Sequence, residues 1–152
     1  MDATPTEGGL LDLPLFDDAH RELVDRLETT VRDDILPLRE REDEADEREL
    51  SRRIVEVLGD EGWLEYAVPA DAGGREEGLD VRSLCLIRET LARHWGLADF
   101  AFALQGLGSG PISLFGTQRQ KRQYLPDVAA GDAVAAFALS EEEAGSDVAS
   151  IA

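Results

Sequence analysis

The sequence predicts a mainly α fold, five or six helices followed by one strand. Three features predict it. Apolar residues recur at steps of three and four in successive stretches, the spacing that lines one helix face. Residues able to cap a helix, Asp17, Asp80 and Thr117, stand just ahead of such stretches. Near the end, Ala133 to Leu139 is a short apolar run that follows the turn residues Gly131 and Asp132, the pattern of a strand.

Residues 1–13 read as a loose tail. The first helix starts near Asp17 and carries Leu23, Leu27, Val31 and Ile35 at steps of four. Pro37 ends it or marks its last turn. Glu40 to Glu49 holds seven acidic residues and reads as a solvated connection or a helix start. A second helix runs from about Glu47 to Glu61, burying Leu50, Ile54, Val57 and Leu58, with Gly62 as a left-handed cap. The apolar segment Trp63 to Pro69 and the turn-rich Asp71-Ala72-Gly73-Gly74 follow.

Asp80 caps a third helix that runs to about His94, with Val81, Leu84, Cys85, Ile87, Arg88 and Leu91 on it. The fourth helix, Leu97 to Leu107, is apolar nearly all round, so burial is expected. Gly106, Gly108 and Gly110 break it, and Pro111 opens a short helix beyond. Thr117 with Gln120 makes a capping box for a helix from Gln118 to Tyr124, ended at Pro126. The domain reading is a tail over 1–13, a helical domain over 14–130, and the start of a β domain over 131–152. A lone strand has no ladder partner, so the sequence is expected to enter a β-rich domain that is then cut away.

Composition narrows the function classes. Fifteen Lys and Arg against 33 Asp and Glu give a formal charge of −18, the wrong sign for nucleic acid or an anionic membrane surface. No apolar run reaches the length of a membrane span. Met1 to Gly9 lacks the basic start and apolar centre of a signal peptide. Cys85 is the only cysteine, so no intrachain disulfide can form, and its apolar neighbours predict a buried, inert thiol. His20 and His94 are too few for a histidine-rich metal site and are expected in surface or capping roles. Trp63 and Trp95 are expected to pack as anchors. Gly106-x-Gly108-x-Gly110 follows a helix rather than a strand, so it lacks the setting of a dinucleotide loop. These features predict a cytoplasmic protein without a metal.

Four segments carry a resemblance. Phe137-Ala138-Leu139-Ser140-Glu141-Glu142-Glu143-Ala144-Gly145-Ser146-Asp147 resembles the acyl-CoA dehydrogenase signature, aromatic-x-x-[Ser/Thr]-Glu-Pro-x-Ala-Gly-Ser-Asp. Gly62-Trp63-Leu64, Val68-Pro69 and Gly73-Gly74 are similar to an upstream turn of that family. Arg88 to Arg93 is similar to its Glu-Glu-Leu-Ala-Arg helix end. Phe115-Gly116-Thr117 through Tyr124-Leu125-Pro126 resembles its Phe-Gly-Thr-x-x-Gln-Lys-x-x-Tyr-Leu-Pro run. The matches lie in the family's order and cover the chain from about Leu15.

The resemblance implies an N-terminal helical bundle followed by the first strand of a truncated β domain. It implies FAD as cofactor, an acyl-CoA thioester as substrate, a homo-oligomer, and an electron-transferring flavoprotein as possible acceptor. The family's glutamate base usually lies in a C-terminal domain, so no catalytic residue is named among these 152.

The residues support a flavin site on their own chemistry. Phe137 and Leu139 offer an apolar surface to a flat ring. The Leu139 and Ser140 amides and the Ser140 hydroxyl can donate to a flavin pyrimidine. Gly145 lets the backbone approach a pyrophosphate, and Ser146 adds a hydroxyl. By resemblance Ser146 also faces the CoA side, and Ala103 and Leu107 line the acyl pocket. Glu142 stands where the family usually has proline, and Glu143 adds a second carboxylate that would repel a phosphate unless it points outward. The alternative is a non-enzymatic short module that pairs with a full-length partner or has lost function.

Overall fold

The structure, a computed structural model, describes residues 9–75 and 78–151. Most of the expected tail, residues 1–8, therefore lies outside the described residues. Helix α1 (Asp18–Thr30) passes through a π-helical turn (Val31–Ile35) into α2 (Leu36–Arg39). Pro37 sits in this last stretch, directly after a wider turn of the kind that accommodates a proline ring within a continuing helix. Then follow α3 (Glu47–Asp60), α4 (Val81–His94), α5 (Gly96–Phe115) and α6 (Gln118–Ala130), with short 3-10 turns between α3 and α4.

The starts were readable because caps are local. Asp17 and His20 form a reciprocal capping box, as do Thr117 and Gln120. Asp46 and Asp80 accept from amides of the first turns of α3 and α4. Gly62, at φ +75°, ends α3 in a Schellman arrangement. The Trp63 amide donates to the Leu58 carbonyl and the Gly62 amide to the Gly59 carbonyl.

The core gathers Leu23, Leu27, Val31 and Ile35 from the first helix with Ile54 and Leu58 of α3. Trp63, Ile87, Leu91 and Phe102 complete it. The Trp63 indole donates to the Thr30 hydroxyl at 3.1 Å, so its one polar atom is satisfied inside the core. Glu28 ties the first helix to the end of α4, accepting from Arg93 at 2.5 Å and meeting His94 Nε2 at 2.8 Å. A second cluster, Val68, Ala72, Leu125, Val128 and Ala129, lies under α6, with Ile112, Ala133 and Ala135 against it.

Several expectations need correction. The fourth helix does not break at Gly106, Gly108 and Gly110, and Pro111 opens no new helix; α5 continues to Phe115. Its contacts with α3, α4 and α6 offset the weak helix propensity of those residues. Nor is it buried all round: Phe100, Leu107 and Leu114 are exposed. Likewise α6 runs through Pro126 to Ala130, because Val128 and Ala129 are buried beyond the proline. On α3 the buried face uses Val55, while Val57 is only half-buried.

On α4 the inward stripe is Ser83, Leu86, Ile87, Thr90 and Leu91. Val81 is exposed, and so is Cys85, which is a free surface thiol rather than a buried one. Finally, Ala133 to Leu139 forms no strand. It keeps the inside-outside alternation of one, Ala133 and Ala135 packed and Val134 exposed, but it has no ladder partner among the described residues.

Candidate functional site

Helix α5 organises the residues singled out by sequence. At 3.6 residues per turn, Phe100, Ala103, Leu107 and Leu114 fall on one stripe. Ala103 is half-buried, whereas Phe100, Leu107 and Leu114 are 58%, 51% and 64% exposed, so the stripe is an open apolar strip. The other side of α5, with Ala98, Ala101, Phe102, Gln105 and Ser109, faces the interior.

The segment that follows α6 lies along this interior side. The Gln105 side chain donates from Nε2 to the Ala133 carbonyl at 2.9 Å and accepts the Ala135 amide at 2.5 Å. Gly108, one turn on, sits so close to the segment that a Cβ there would lie 2.8 Å from the Ala136 backbone. The structure therefore joins residues 133–136 to the Gln105 side of α5, nearly opposite the Ala103–Leu107 strip. It does not bring that strip onto residues 133–136.

Beyond Ala136 the candidate cofactor residues lie at the surface. Phe137 and Leu139 are 42% and 43% exposed, and Ser140, Gly145 and Ser146 are exposed. Two backbone hydrogen bonds between Glu141 and Ala144 close a turn, and Ala144 is buried at its end. Glu142 and Glu143 are exposed on this turn. Asp147 accepts the Ser150 hydroxyl at 2.6 Å and starts a 3-10 turn (Val148–Ser150). A Cβ added at Gly145 would meet nothing within 4 Å, so an outside group can approach the backbone there. The Leu139 and Ser140 amides and the Ser140 and Ser146 hydroxyls hold no hydrogen bond among the described residues.

A separate polar cluster joins the starts of α1 and α4. His20 is buried, with Nδ1 2.7 Å from Asp17 and Nε2 3.6 Å from Asp80. The ring hydrogen bond from His20 holds the Asp17 carboxyl below the usual carboxylate range. Burial pushes Asp80 up, but the Ser83 hydroxyl and the amide and guanidinium of Arg82 together bring it below that range. These residues line a cleft of about 650 Å³ with Tyr66 and Leu79. His20 thus caps its helix as expected, though inside the fold rather than on its surface. Near the start of α5, Asp99 accepts two hydrogen bonds from Arg88 and raises that guanidinium's pKa further.

Sequence reasoning passed over Gln105. Its signal was present: it is the one uncharged polar residue between Leu97 and Leu107, where the other non-glycine residues are apolar apart from Asp99. Among the described residues no group of three or more His, Cys, Asp or Glu could hold a metal ion. No described helix is long and apolar enough to cross a membrane.

Comparison with known proteins places this arrangement. The family model for the acyl-CoA dehydrogenase N-terminal domain matches residues 17–132. A probable acyl-CoA dehydrogenase of Bacillus subtilis (strain 168) is 37% identical over 132 residues, which is 87% of this chain and 22% of the relative. The very long-chain specific acyl-CoA dehydrogenase of rat (Rattus norvegicus) mitochondria is 44% identical over 91 residues, 59% of this chain and 14% of that protein. The crystal structure of an acyl-CoA dehydrogenase from Bacillus anthracis, complexed with FAD, superposes with a TM-score of 0.75 at 36% identity. That superposition covers 90% of this chain and 23% of the solved one. The chain thus spans about a fifth of the length of the B. subtilis relative and of the solved structure.

Proposed function

Since the chain belongs to the acyl-CoA dehydrogenase family, through its N-terminal domain, we propose that it serves as the N-terminal part of a FAD-dependent enzyme that removes two hydrogens from an acyl-CoA thioester. The observation that carries this is the combination of an open apolar strip on α5 with a surface segment in which the Leu139 and Ser140 amides and the Ser140 and Ser146 hydroxyls hold no hydrogen bond among the described residues. Ala103 and Leu107 form part of the acyl wall, where an apolar chain would lose contact with water. Phe137 and Leu139 pack beside the flavin, the amides of Leu139 and Ser140 hold its pyrimidine edge, and Gly145 and Ser146 meet the pyrophosphate. Ser146 also reaches the CoA side. Donors without a hydrogen bond among the described residues fit FAD at these positions, and the exposure of Glu142 and Glu143 lets both carboxylates point away from phosphate. Bound FAD supplies a hydride acceptor.

The same proposal takes residues 14–130 as the helical domain and 131–152 as the opening of a β domain. It places the proton-abstracting base outside these 152 residues and expects a cytoplasmic homo-oligomer whose electron acceptor is an electron-transferring flavoprotein or oxygen. The test compares the gene product purified from its own host with the 152-residue chain alone. The host product is expected to show a flavin spectrum and to dehydrogenate an acyl-CoA, and the 152-residue chain to show no turnover. Turnover by the short chain would overturn the assignment. A host product of 16.6 kDa without flavin would favour the non-enzymatic module that pairs with a full-length partner or has lost function.

A further inference from the structure

Gln105 is fully buried, and both ends of its amide are used on the backbone of another segment. A primary amide offers a donor and an acceptor side by side, as one peptide unit of a neighbouring strand does. Gln105 spends them on Ala133 and Ala135, residues two apart that point to one side, so it holds them as one peptide unit of a ladder would. Gly108 lies one turn along the same side of α5 and leaves room for the segment to lie flush on the helix. The Ser109 hydroxyl donates back to the Gln105 carbonyl at 2.7 Å, on the same turn. Ala133 and Ala135 complete the contact by packing on the cluster under α6.

We infer that Gln105 is a positioning residue that sets the register of residues 133–136 on the inner side of α5, and thereby where Phe137, Leu139 and Ser140 emerge. This rests on the proposed flavin role of those three residues. A shift of one residue would turn each of them to the opposite side, so the contact at Gln105 fixes which side each of them faces. Helix α5 then acts as a shared wall, its outer strip for the acyl chain and its inner side for the segment leading to the flavin.

Two readouts test this. Amide exchange in the 152-residue chain is measured for Gln105→Met, which keeps the volume and drops both hydrogen bonds, and for Gln105→Glu, which keeps the acceptor for Ala135. The Ala135 amide is expected to exchange roughly tenfold faster in Gln105→Met, the effect of one lost buried hydrogen bond, and less so in Gln105→Glu. Amides of α3 and α4 should keep their protection. Should Gln105→Met fail to fold, Gly108→Ala displaces the same segment from the other end and is expected to give the same local loss. Unchanged Ala135 exchange in the folded variants would overturn the inference.

The second readout is the FAD dissociation constant of the flavin-bearing host product, expected to rise severalfold in both variants with no change in the melting of the helical core. Local loosening without any change in FAD dissociation would overturn the functional half. A wild-type host product that binds no FAD would instead refute the flavin assignment, while the exchange arm still decides the register.

Discussion

Trp63 shows how much one side chain can hold. It is fully buried, its ring lies 4.1 Å from the Arg26 guanidinium, and its indole N–H reaches Thr30. Trp63→Phe keeps most of the apolar contact but leaves the Thr30 hydroxyl without its donor. It is expected to cost about 1–3 kcal/mol in urea unfolding, whereas Trp63→Ala adds a cavity and should cost about 3–5 kcal/mol. Gly62 makes a different kind of demand. At φ +75° an L side chain is strained, so Gly62→Ala is expected to cost about 1 kcal/mol in the same measurement, although the nearest atoms lie 3.5 Å or more from the added methyl. Cys85, exposed on α4, should react with a thiol reagent in the folded protein at close to the rate of a free thiol; slow labelling that needs denaturant would contradict its placement.

Helix starts carry the pH dependence. Asp80 caps α4 and its carboxyl is held below the usual range, so the folded state binds its proton less readily than the unfolded chain. Its contribution is therefore complete above the unfolded carboxyl value of about 3.9 and disappears as pH falls through the lower folded value. Asp80→Ala is expected to lose about 1 kcal/mol at neutral pH, as for other caps, and Asp80→Asn to flatten the acid limb of a stability-against-pH curve. An acid limb unchanged in Asp80→Asn would remove the cap from the account.

The elements also show which signals are legible. Capping boxes join residues three apart, so Asp17 with His20 and Thr117 with Gln120 could be read directly from the chain. Whether α5 passes through three glycines and a proline depends on energy supplied by α3, α4 and α6, which no local window contains.

Over the whole molecule, a formal charge of −18 sits on 152 residues. Self-repulsion at this density opposes the compact state, and salt screens it: the Debye length falls from about 30 Å at 0.01 M to about 8 Å at physiological strength. The melting temperature is therefore expected to rise with ionic strength over that range, followed by circular dichroism; a fall would show that the ion pairs of Glu28 and Asp99 outweigh the repulsion. The open strip on α5, with Phe115 at 85% exposure beside it, is an apolar liability of the fold that a covering ligand or domain would relieve.

By itself the sequence determined where helices begin, which side of the first helix faces inward, and, through short motifs, the acyl-CoA dehydrogenase family. Each of these is written within a turn or a short run of contiguous residues. Tertiary structure alone decided that α5 and α6 continue through their breakers, that Cys85 faces solvent, and that Ala133 to Leu139 has no ladder partner among the described residues while Ala133 and Ala135 bond to Gln105. Those outcomes join residues about 30 positions apart, as Gln105 is from Ala133 and Ala135, and depend on which surface arrives to pair with them. A strand is defined by its partner, and among the described residues the buried Gln105 amide bonds to this segment.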